Sequence, residues 1–407
     1  MEAQIAAAQI GARRFLDLVR HYSHETVMAA SADLMDDSER LIRAAIASIP
    51  DGVYRATTYI DGFLDDPEPS RRDLAICVAI TVTGDELTVD LVGTAPQAPD
   101  RPINMAFVGP VDCAVWLTLR SLLLDSVVYR PIPQNNGLTR PKTILAPKGC
   151  LANPIFPAPV IACFCPGNAL AGAVRKAFAP AAPKQVSAGI GNLTVVAFSG
   201  VVEDRQWVHM EILEGSYRGR CGNDCVEAVD TLYANSRNNP IEDIESHPPL
   251  RVERYELRED LAAAGLWRGC IGSVREFVYL SDGGFSVEGD GHKYRPWEFD
   301  GGAEGAPSAL VQVSPTGERV EWPSKVPCRK TKKGDRLISF GPSGGDYGDP
   351  MSRAPEGALD NFRDGLVSLQ RARELYGVQF VGGKIDSAAT VQLREDRRGA
   401  ANREGTK

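Results

Sequence analysis

Hydrophobic residues recur at helical spacing in the first eighth of the chain, and the pattern changes to alternation in its second half. Apolar positions three or four apart predict two helices within residues 1–49. Ser23 lies at the break between them and is suited to cap the second helix. The same spacing predicts three further helices, at 111–124, 167–178 and 355–376. The last of these is expected to close the fold.

Alternating apolar and polar residues predict β-strands on both sides of the central region. Two strands flank the turn signal at Gly84-Asp85, at 74–82 and 86–92. The second half of the chain adds seven strand candidates, at 193–198, 207–213, 250–257, 271–280, 285–288, 310–313 and 336–340. This half is therefore predicted to be rich in β-structure, as a sandwich or a barrel-like sheet.

A proline-rich stretch separates the two halves. Residues 131–166 contain eight prolines, a density that no long helix or central strand tolerates. We expect a structured loop that lies against another surface. The overall prediction is an α+β fold, with a helical N-terminal part, a β-rich C-terminal half and a closing C-terminal helix. The predicted regions are 1–130 (helices and a small sheet), 131–245 (proline-rich and mixed), 246–383 (β-rich with the closing helix) and a frayed tail at 384–407.

Composition and charge exclude several classes of protein. The 407 residues are 43% hydrophobic and 24% charged, with a net charge of −8. Nucleic-acid binding requires clustered positive charge, so the balance argues against it. No apolar run reaches the roughly 20 residues that span a bilayer, and the N-terminus does not resemble a signal peptide. We expect a cytoplasmic protein with no membrane partner.

The nine cysteines are scattered and odd in number, which is not typical of a secreted disulfide scaffold. Two local pairs, Cys163 with Cys165 and Cys221 with Cys225, together offer four thiolates for zinc. Neither pair has the two-residue spacer of zinc knuckles, so buried or idle thiols are favoured. The five histidines show no convincing ligand spacing. We therefore expect no metal bound by this chain.

Polar segments in the second half contain the candidate binding residues. Residues 235–242 gather amides, an arginine and an acid beside Pro240, which suits either a turn or a substrate-orienting cluster. Residues 288–297 place an acid, an imidazole and a guanidinium beside two glycines and before Pro296 and Trp297, the ingredients of a site or of a hairpin turn. We expect both segments to line one cleft. The candidates are Asn235, Arg237, Asn238, Glu242, Asp290, His292 and Arg295, and no catalytic residue is assigned.

An ordered set of motifs resembles the hydantoinase B/oxoprolinase family. The set comprises residues 235–242 (NSRNNPIE), 249–258 (PLRVERYELR), 267–276 (WRGCIGSVRE), 323–326 (PSKV), 344–350 (GGDYGDP), 364–368 (DGLVS) and 375–377 (LYG). Residues 10–14 (IGARR), 51–54 (DGVY) and Asn104 fit as well. The resemblance covers nearly the whole chain.

The resemblance implies a B-type subunit, or its C-terminal portion, of an ATP-dependent enzyme that opens hydantoin-like or 5-oxoproline-like rings. ATP and magnesium are expected on an A-type partner subunit, which activates the cyclic amide. A non-catalytic scaffold and a subunit of a related ATP-dependent carboxylase are the alternatives. We expect a hetero-oligomer in which the isolated chain is inactive.

The sequence departs from the family pattern in four places. The family's usual N-terminal region, which bears a metal cluster, is expected to be supplied by another chain, together with its divalent metal. Residues 230–234 stand where many relatives have histidine, and Asp346 replaces a glycine of the late glycine loop. Ala354 replaces the usual acidic cap before Pro355.

Overall fold

A computed structural model describes residues 1–64, 66–125, 132–229, 232–234, 236–258 and 264–404. Its helices are α1 (Glu2–Tyr22), α2 (His24–Ile46), α3 (Asp112–Leu123), α4 (Phe164–Phe178), α5 (Ile241–Ser246), α6 (Pro355–Arg363), α7 (Leu369–Tyr376) and α8 (Ser387–Glu404). Together with the sheets below they confirm the α+β fold class. The domain boundaries at residues 130, 245 and 383 stay a prediction.

The first layer is a four-stranded sheet covered on one face by helices. Its strands are β1 (Gly52–Asp61), β2 (Asp73–Thr83), β3 (Glu86–Asp90) and β4 (Lys142–Leu145), in that order, and β4 runs parallel to β3. Alternate residues of β2, from Leu74 to Val82, are buried. They share a core with α4 residues such as Val174 and Phe178 and with α3. The alternation of buried residues along β2 therefore reflects a sheet with one face covered by helices.

The second layer is a sandwich of two sheets. One has the order β11-β10-β13-β8-β7, with β7 (Leu250–Leu257), β8 (Ser273–Tyr279), β10 (Ala309–Val313), β11 (Arg319–Trp322) and β13 (Arg336–Phe340). The other has the order β12-β9-β5-β6, with β5 (Thr194–Val202), β6 (Arg205–Leu213), β9 (Gly283–Glu288) and β12 (Lys325–Thr331). Phe198 and Phe285 of one sheet and Phe277 and Tyr279 of the other share one core. This confirms the predicted β-rich second half.

Two loops, one after β9 and one after β13, contact the segment before β5 closely at Gly189. The Gly189 N–H donates to the Trp297 carbonyl at 2.7 Å, and the Gly345 N–H donates to the Gly189 carbonyl at 2.9 Å. A Cβ atom on Gly189 would lie 2.3 Å from the Trp297 nitrogen. Only glycine permits this backbone contact, which positions the segment that precedes β5.

The N-terminal helices are largely exposed. Ser23 caps α2 as predicted, because its hydroxyl accepts from the Thr26 N–H at 3.3 Å. None of the α1 residues is buried, and the buried residues of α2 begin at Ser38. No helix in the described part of the chain has the length and hydrophobicity needed to cross a bilayer.

Several element predictions were wrong. Strand β1 was missed because its inward positions include Thr58 and its outward ones include Val53 and Tyr59, which weakens the apolar alternation. The closing helix is two helices, α6 and α7, separated at Gly365, whose φ is +73°. The tail was expected to fray, but α8 forms there, and Arg394 anchors it by donating to the Tyr376 carbonyl at 3.0 Å. A two-stranded hairpin, β14 (Phe380–Val381) and β15 (Lys384–Ile385), precedes α8.

Candidate functional site

Asp290 lies where the two layers meet, just after β9. One of its carboxylate oxygens accepts from the Asp61 N–H at 2.8 Å, and the other accepts from the Asn192 amide at 3.2 Å. The Asn192 side-chain oxygen in turn accepts from the Asn168 amide of α4 at 2.9 Å. Three segments that are far apart in the sequence therefore position this carboxylate.

Asp61 holds the loop that presents Asp290. Its carboxylate accepts the backbone N–H groups of His292 at 2.7 Å, Lys293 at 3.1 Å and Tyr294 at 3.2 Å. Gly291 makes the turn with a φ of +80°, a conformation that favours glycine. The end of β1 and the loop after β9 are thus fastened to each other by reciprocal hydrogen bonds.

The electrostatics of this cluster differ from those of a surface carboxylate. Burial, together with the nearby charge of Asp61, raises the pKa of Asp290 to about 6. Burial raises the pKa of Glu288 to about 7, and one of its oxygens has no hydrogen-bond partner in the described residues. Lys325 lies 3.8 Å from that oxygen and donates to the Gly289 carbonyl at 2.8 Å. Carboxyl groups with such pKa values can exchange protons near neutral pH.

The Asp290 carboxylate lines a cleft with aromatic walls. Tyr59 and Tyr294 stack along one side, with ring centroids 5.2 Å apart and an interplanar angle of 19°. Trp297 forms another wall, and the Lys176 ammonium lies 5.4 Å from its ring centroid. Arg295 is exposed at the cleft, and we find no ion pair between it and a described residue. Apolar walls around a few convergent polar groups are typical of small-molecule sites.

A second polar cluster surrounds Arg275 of β8. Its guanidinium contacts Glu211 at 3.2 Å and Glu214 at 2.5 Å and donates to the Asn238 side-chain oxygen. It also stacks 4.0 Å from the ring centroid of Tyr255. Both glutamates are buried, so the arginine neutralises charge that water does not reach.

The predicted site residues do not line a single cleft, so that expectation was wrong. Asp290 and Arg295 line the cleft beside Tyr59 and Trp297, whereas Arg237 and Asn238 line a separate cavity beside Glu214. His292 contributes its backbone N–H to Asp61, and burial lowers the pKa of its ring. Glu242 is exposed on α5, and Asn235 lies outside the described residues. A role in substrate binding stays a prediction for all of them.

Most of the polar groups around Asp290 lie outside the segments that the sequence pattern singled out. Asp61, Asn168 and Asn192 lie outside the recognised motifs, whereas Glu288 begins the segment 288–297 and Lys325 lies in the motif 323–326. The usable signal was weak: a polar residue ends the strand at Asp61, and Asn192 follows a glycine-rich segment. Only the packing of the two layers brings them together.

The four thiolates considered for zinc are not gathered. Cys163 and Cys165 lie at the start of α4, where Cys165 is buried near Lys325. Cys225 forms a disulfide with Cys270 instead. Within the described ranges, the one group of three potential metal ligands is Cys225, Glu227 and Cys270.

The protein is an α+β protein in which a helix-covered sheet packs on a β-sandwich. A buried carboxylate lies in an aromatic cleft between them, and this cleft is a candidate small-molecule site. The family model for hydantoinase B/oxoprolinase matches residues 1–350. The chain belongs to this family.

The relatives carry more specific names. The chain is 54% identical, over 397 residues, to the B-type subunit of a putative D-/L-hydantoinase from Pseudomonas sp. (strain NS671), covering 97% of this chain and 67% of that one. It is 31% identical to the beta subunit of caprolactamase from Pseudomonas jessenii, covering 96% of this chain and 68% of the relative. The chain thus spans about two thirds of the length of these relatives.

Solved structures support the same fold. A crystal structure of ATP-dependent caprolactamase from Pseudomonas jessenii superposes with a TM-score of 0.82 at 27% identity, covering 97% of this chain and 68% of that one. A nucleotide-free acetone carboxylase structure superposes with a TM-score of 0.79 at 15% identity, covering 95% and 58%. At that identity the second likeness concerns the fold alone.

Proposed function

We propose that this chain is the B-type subunit, or the C-terminal portion of one, of an ATP-dependent hydrolase that opens hydantoin-like or 5-oxoproline-like rings. The observation that carries the proposal is the 54% identity, over nearly the whole chain, to the B-type subunit of a putative hydantoinase. The proposal includes an A-type partner that binds ATP and magnesium. An unstrained cyclic amide is stabilised by resonance, so activation by phosphoryl transfer is a chemically reasonable first step.

In this proposal the cleft beside Asp290 receives the activated ring. Asp290 is mainly ionised at neutral pH because its pKa is about 6, and it can therefore accept a proton from an attacking water. Asn192 and the Asp61 N–H fix the carboxylate in position. Tyr59, Tyr294 and Trp297 suit the faces of a flat ring, and Arg295 suits an anionic group on the bound molecule.

The test is reconstitution with the A-type subunit, with ring-opened product and ADP measured together. We expect turnover that requires ATP and both subunits. The Asp290→Asn variant is expected to lose at least 100-fold in kcat. Asp204→Asn is the matched control, since Asp204 is exposed on the turn between β5 and β6. If Asp290→Asn kept full activity, Asp290 would not be the group that accepts the proton from water. Turnover without ATP would contradict the proposed ATP-dependent hydrolase function.

Arg295 gives a second, independent test of the cleft. We expect Arg295→Ala to raise KM for the assembled enzyme about tenfold and to leave the melting temperature nearly unchanged, because the side chain is exposed. The exposed Arg319 of β11 provides the matched control, Arg319→Ala. Equal losses of activity and stability in Arg295→Ala would favour a structural turn instead.

A further inference from the structure

Two cysteines and a glutamate converge at a point that the Asp290 cleft does not include. The donor atoms of Cys225, Glu227 and Cys270 all lie within 4.8 Å of one another. The Cα atoms of the two cysteines are 5.4 Å apart, although 45 residues separate them in the sequence. The other seven cysteines are unpaired. A single cysteine pair in such a chain is more typical of a metal or redox site than of a stabilising disulfide framework.

We propose that Cys225, Cys270 and Glu227 form a zinc site when the Cys225–Cys270 disulfide is reduced. A dithiol reductant supplies two electrons and two protons, which break the sulfur–sulfur bond and give two thiols, while the dithiol itself is oxidised to a disulfide. Zinc then displaces the two thiol protons, and each sulfur forms a bond to the metal. Oxidation by a disulfide of the same class reverses the process and releases the ion.

The charges of the site balance. Two thiolates and the Glu227 carboxylate carry three negative charges, and zinc carries two positive ones. The remaining charge is matched by Arg268, which is buried and donates to one Glu227 oxygen. The other Glu227 oxygen accepts from the Ile271 N–H at 2.5 Å. These two contacts fix the orientation of the Glu227 carboxylate. Hydrogen bonds from groups outside the coordination shell orient the ligands of known metal sites in the same way.

The geometry requires only a small rearrangement. Zinc–sulfur bonds of about 2.3 Å at tetrahedral angles place two sulfurs about 3.8 Å apart. Rotation of the two side chains can reach that separation. Three protein ligands leave a fourth position for water, and Cys225 and Glu227 are only half-buried, so an ion has access from solvent.

The zinc site would hold in place one wall of the cavity that Arg237 and Asn238 line. Ala228, next to Glu227, donates its N–H to the Ile271 carbonyl at 3.1 Å, and it lines the cavity that contains Arg237 and Asn238. Either the disulfide or the zinc complex links residues 225–227 to Cys270. The reduced, metal-free chain lacks that link.

The experiment is a titration of the full chain, reduced under argon and freed of reductant, with Co²⁺ and then Zn²⁺. We expect one equivalent of Co²⁺ with a thiolate-to-cobalt absorption band, and displacement of the cobalt by one equivalent of Zn²⁺. Cys225→Ser should weaken zinc binding at least 100-fold, and Glu227→Gln about tenfold. Cys328→Ser is the matched control, because Cys328 is an unpaired, exposed cysteine of β12.

Alkylation mapping tests the wild-type chain directly, so the result does not depend on whether variants fold. In the reduced protein, zinc should slow iodoacetamide labelling of Cys225 and Cys270 and leave labelling of Cys328 unchanged. The proposal is overturned if the reduced wild type binds no metal, or if Cys225→Ser binds zinc as tightly as the wild type. Equal protection of all cysteines would also overturn it, since that indicates metal binding elsewhere.

Discussion

Asp290 shows how a single residue acquires its properties from packing. Its side chain is largely buried at the wall of the cleft and lies beside a second carboxylate, so the pKa rises to about 6 from the ordinary 3.8. The charge of Lys325, the Asp61 N–H and the Asn192 amide oppose this rise by stabilising the charged form. The balance leaves a carboxyl group that titrates close to the pH at which enzymes work.

The pH dependence of the assembled enzyme follows from this pKa. If ionised Asp290 accepts the proton, kcat/KM should increase as pH rises through about 6 and level off above pH 7. The measurement is a pH profile of ring opening from pH 5 to pH 8, with the stability of the complex checked at each pH. A profile that is flat across pH 6 would show that another group limits the acidic side.

Asp346 is a second carboxyl group whose burial raises its pKa and makes the stability of the protein depend on pH. Burial raises its pKa to about 7; the Gly269 N–H and the charge of Arg268 oppose the rise. Because the folded pKa lies above the unfolded value, its favourable contribution to stability is complete below about pH 4 and is lost as pH rises through about 7.

The Asp346→Asn variant should not show this loss of stability as pH rises. We expect the variant to be more stable than the wild type at pH 8, by on the order of 2 kcal/mol, and nearly equal to it at about pH 4, where the carboxyl is protonated in both the folded and the unfolded chain. Urea unfolding at both pH values measures the difference. Asp364→Asn, at an exposed position, should behave as the wild type does at both pH values. A variant less stable than the wild type at pH 8 would contradict the argument.

At the scale of elements, β6, β7 and β8 are joined by the Arg275 cluster as well as by backbone pairing. Arg275→Met leaves Glu211 and Glu214 buried without their counter-charge. We expect a loss of about 3–5 kcal/mol in the free energy of unfolding, measured with urea. Arg251→Met on β7 should change it by less than about 1 kcal/mol, since its ion pair with Glu253 is largely exposed. Similar losses in both variants would argue against a special role for the buried cluster.

At the scale of the whole molecule, α1 presents apolar side chains that this chain does not cover. Ile5, Phe15 and Leu16 are 57%, 47% and 50% exposed. Exposed apolar faces of this kind favour association. We expect the isolated chain to self-associate and to form a defined complex with the A-type subunit.

Light scattering with and without the partner tests this expectation. Phe15→Glu with Leu16→Glu should reduce self-association without lowering the melting temperature, because α1 contributes no buried side chain. A monodisperse monomer whose activity is unchanged by the partner would contradict both the assembly and the subunit function.

The sequence by itself determined the fold class, most of the strands and the family. Strand β13 begins and ends where the pattern predicted, and α3 starts within one residue of its expected position behind Pro110. These elements were predictable because burial on one face imposes a period that the sequence must carry. The motifs were recognisable for a similar reason, since they are contiguous in the chain.

Only the tertiary structure decided what surrounds the candidate site. Asp290 was found from its glycine-flanked segment, but its partners Asp61 and Asn192 lie more than ninety residues away in sequence. Cys225 was grouped with Cys221 by proximity in the chain, yet it meets Cys270. Local patterns report which face of an element is buried, whereas the contacts between distant side chains depend on how the layers pack. That packing creates the low-dielectric surroundings that shift the pKa of Asp290, and no local pattern encodes it.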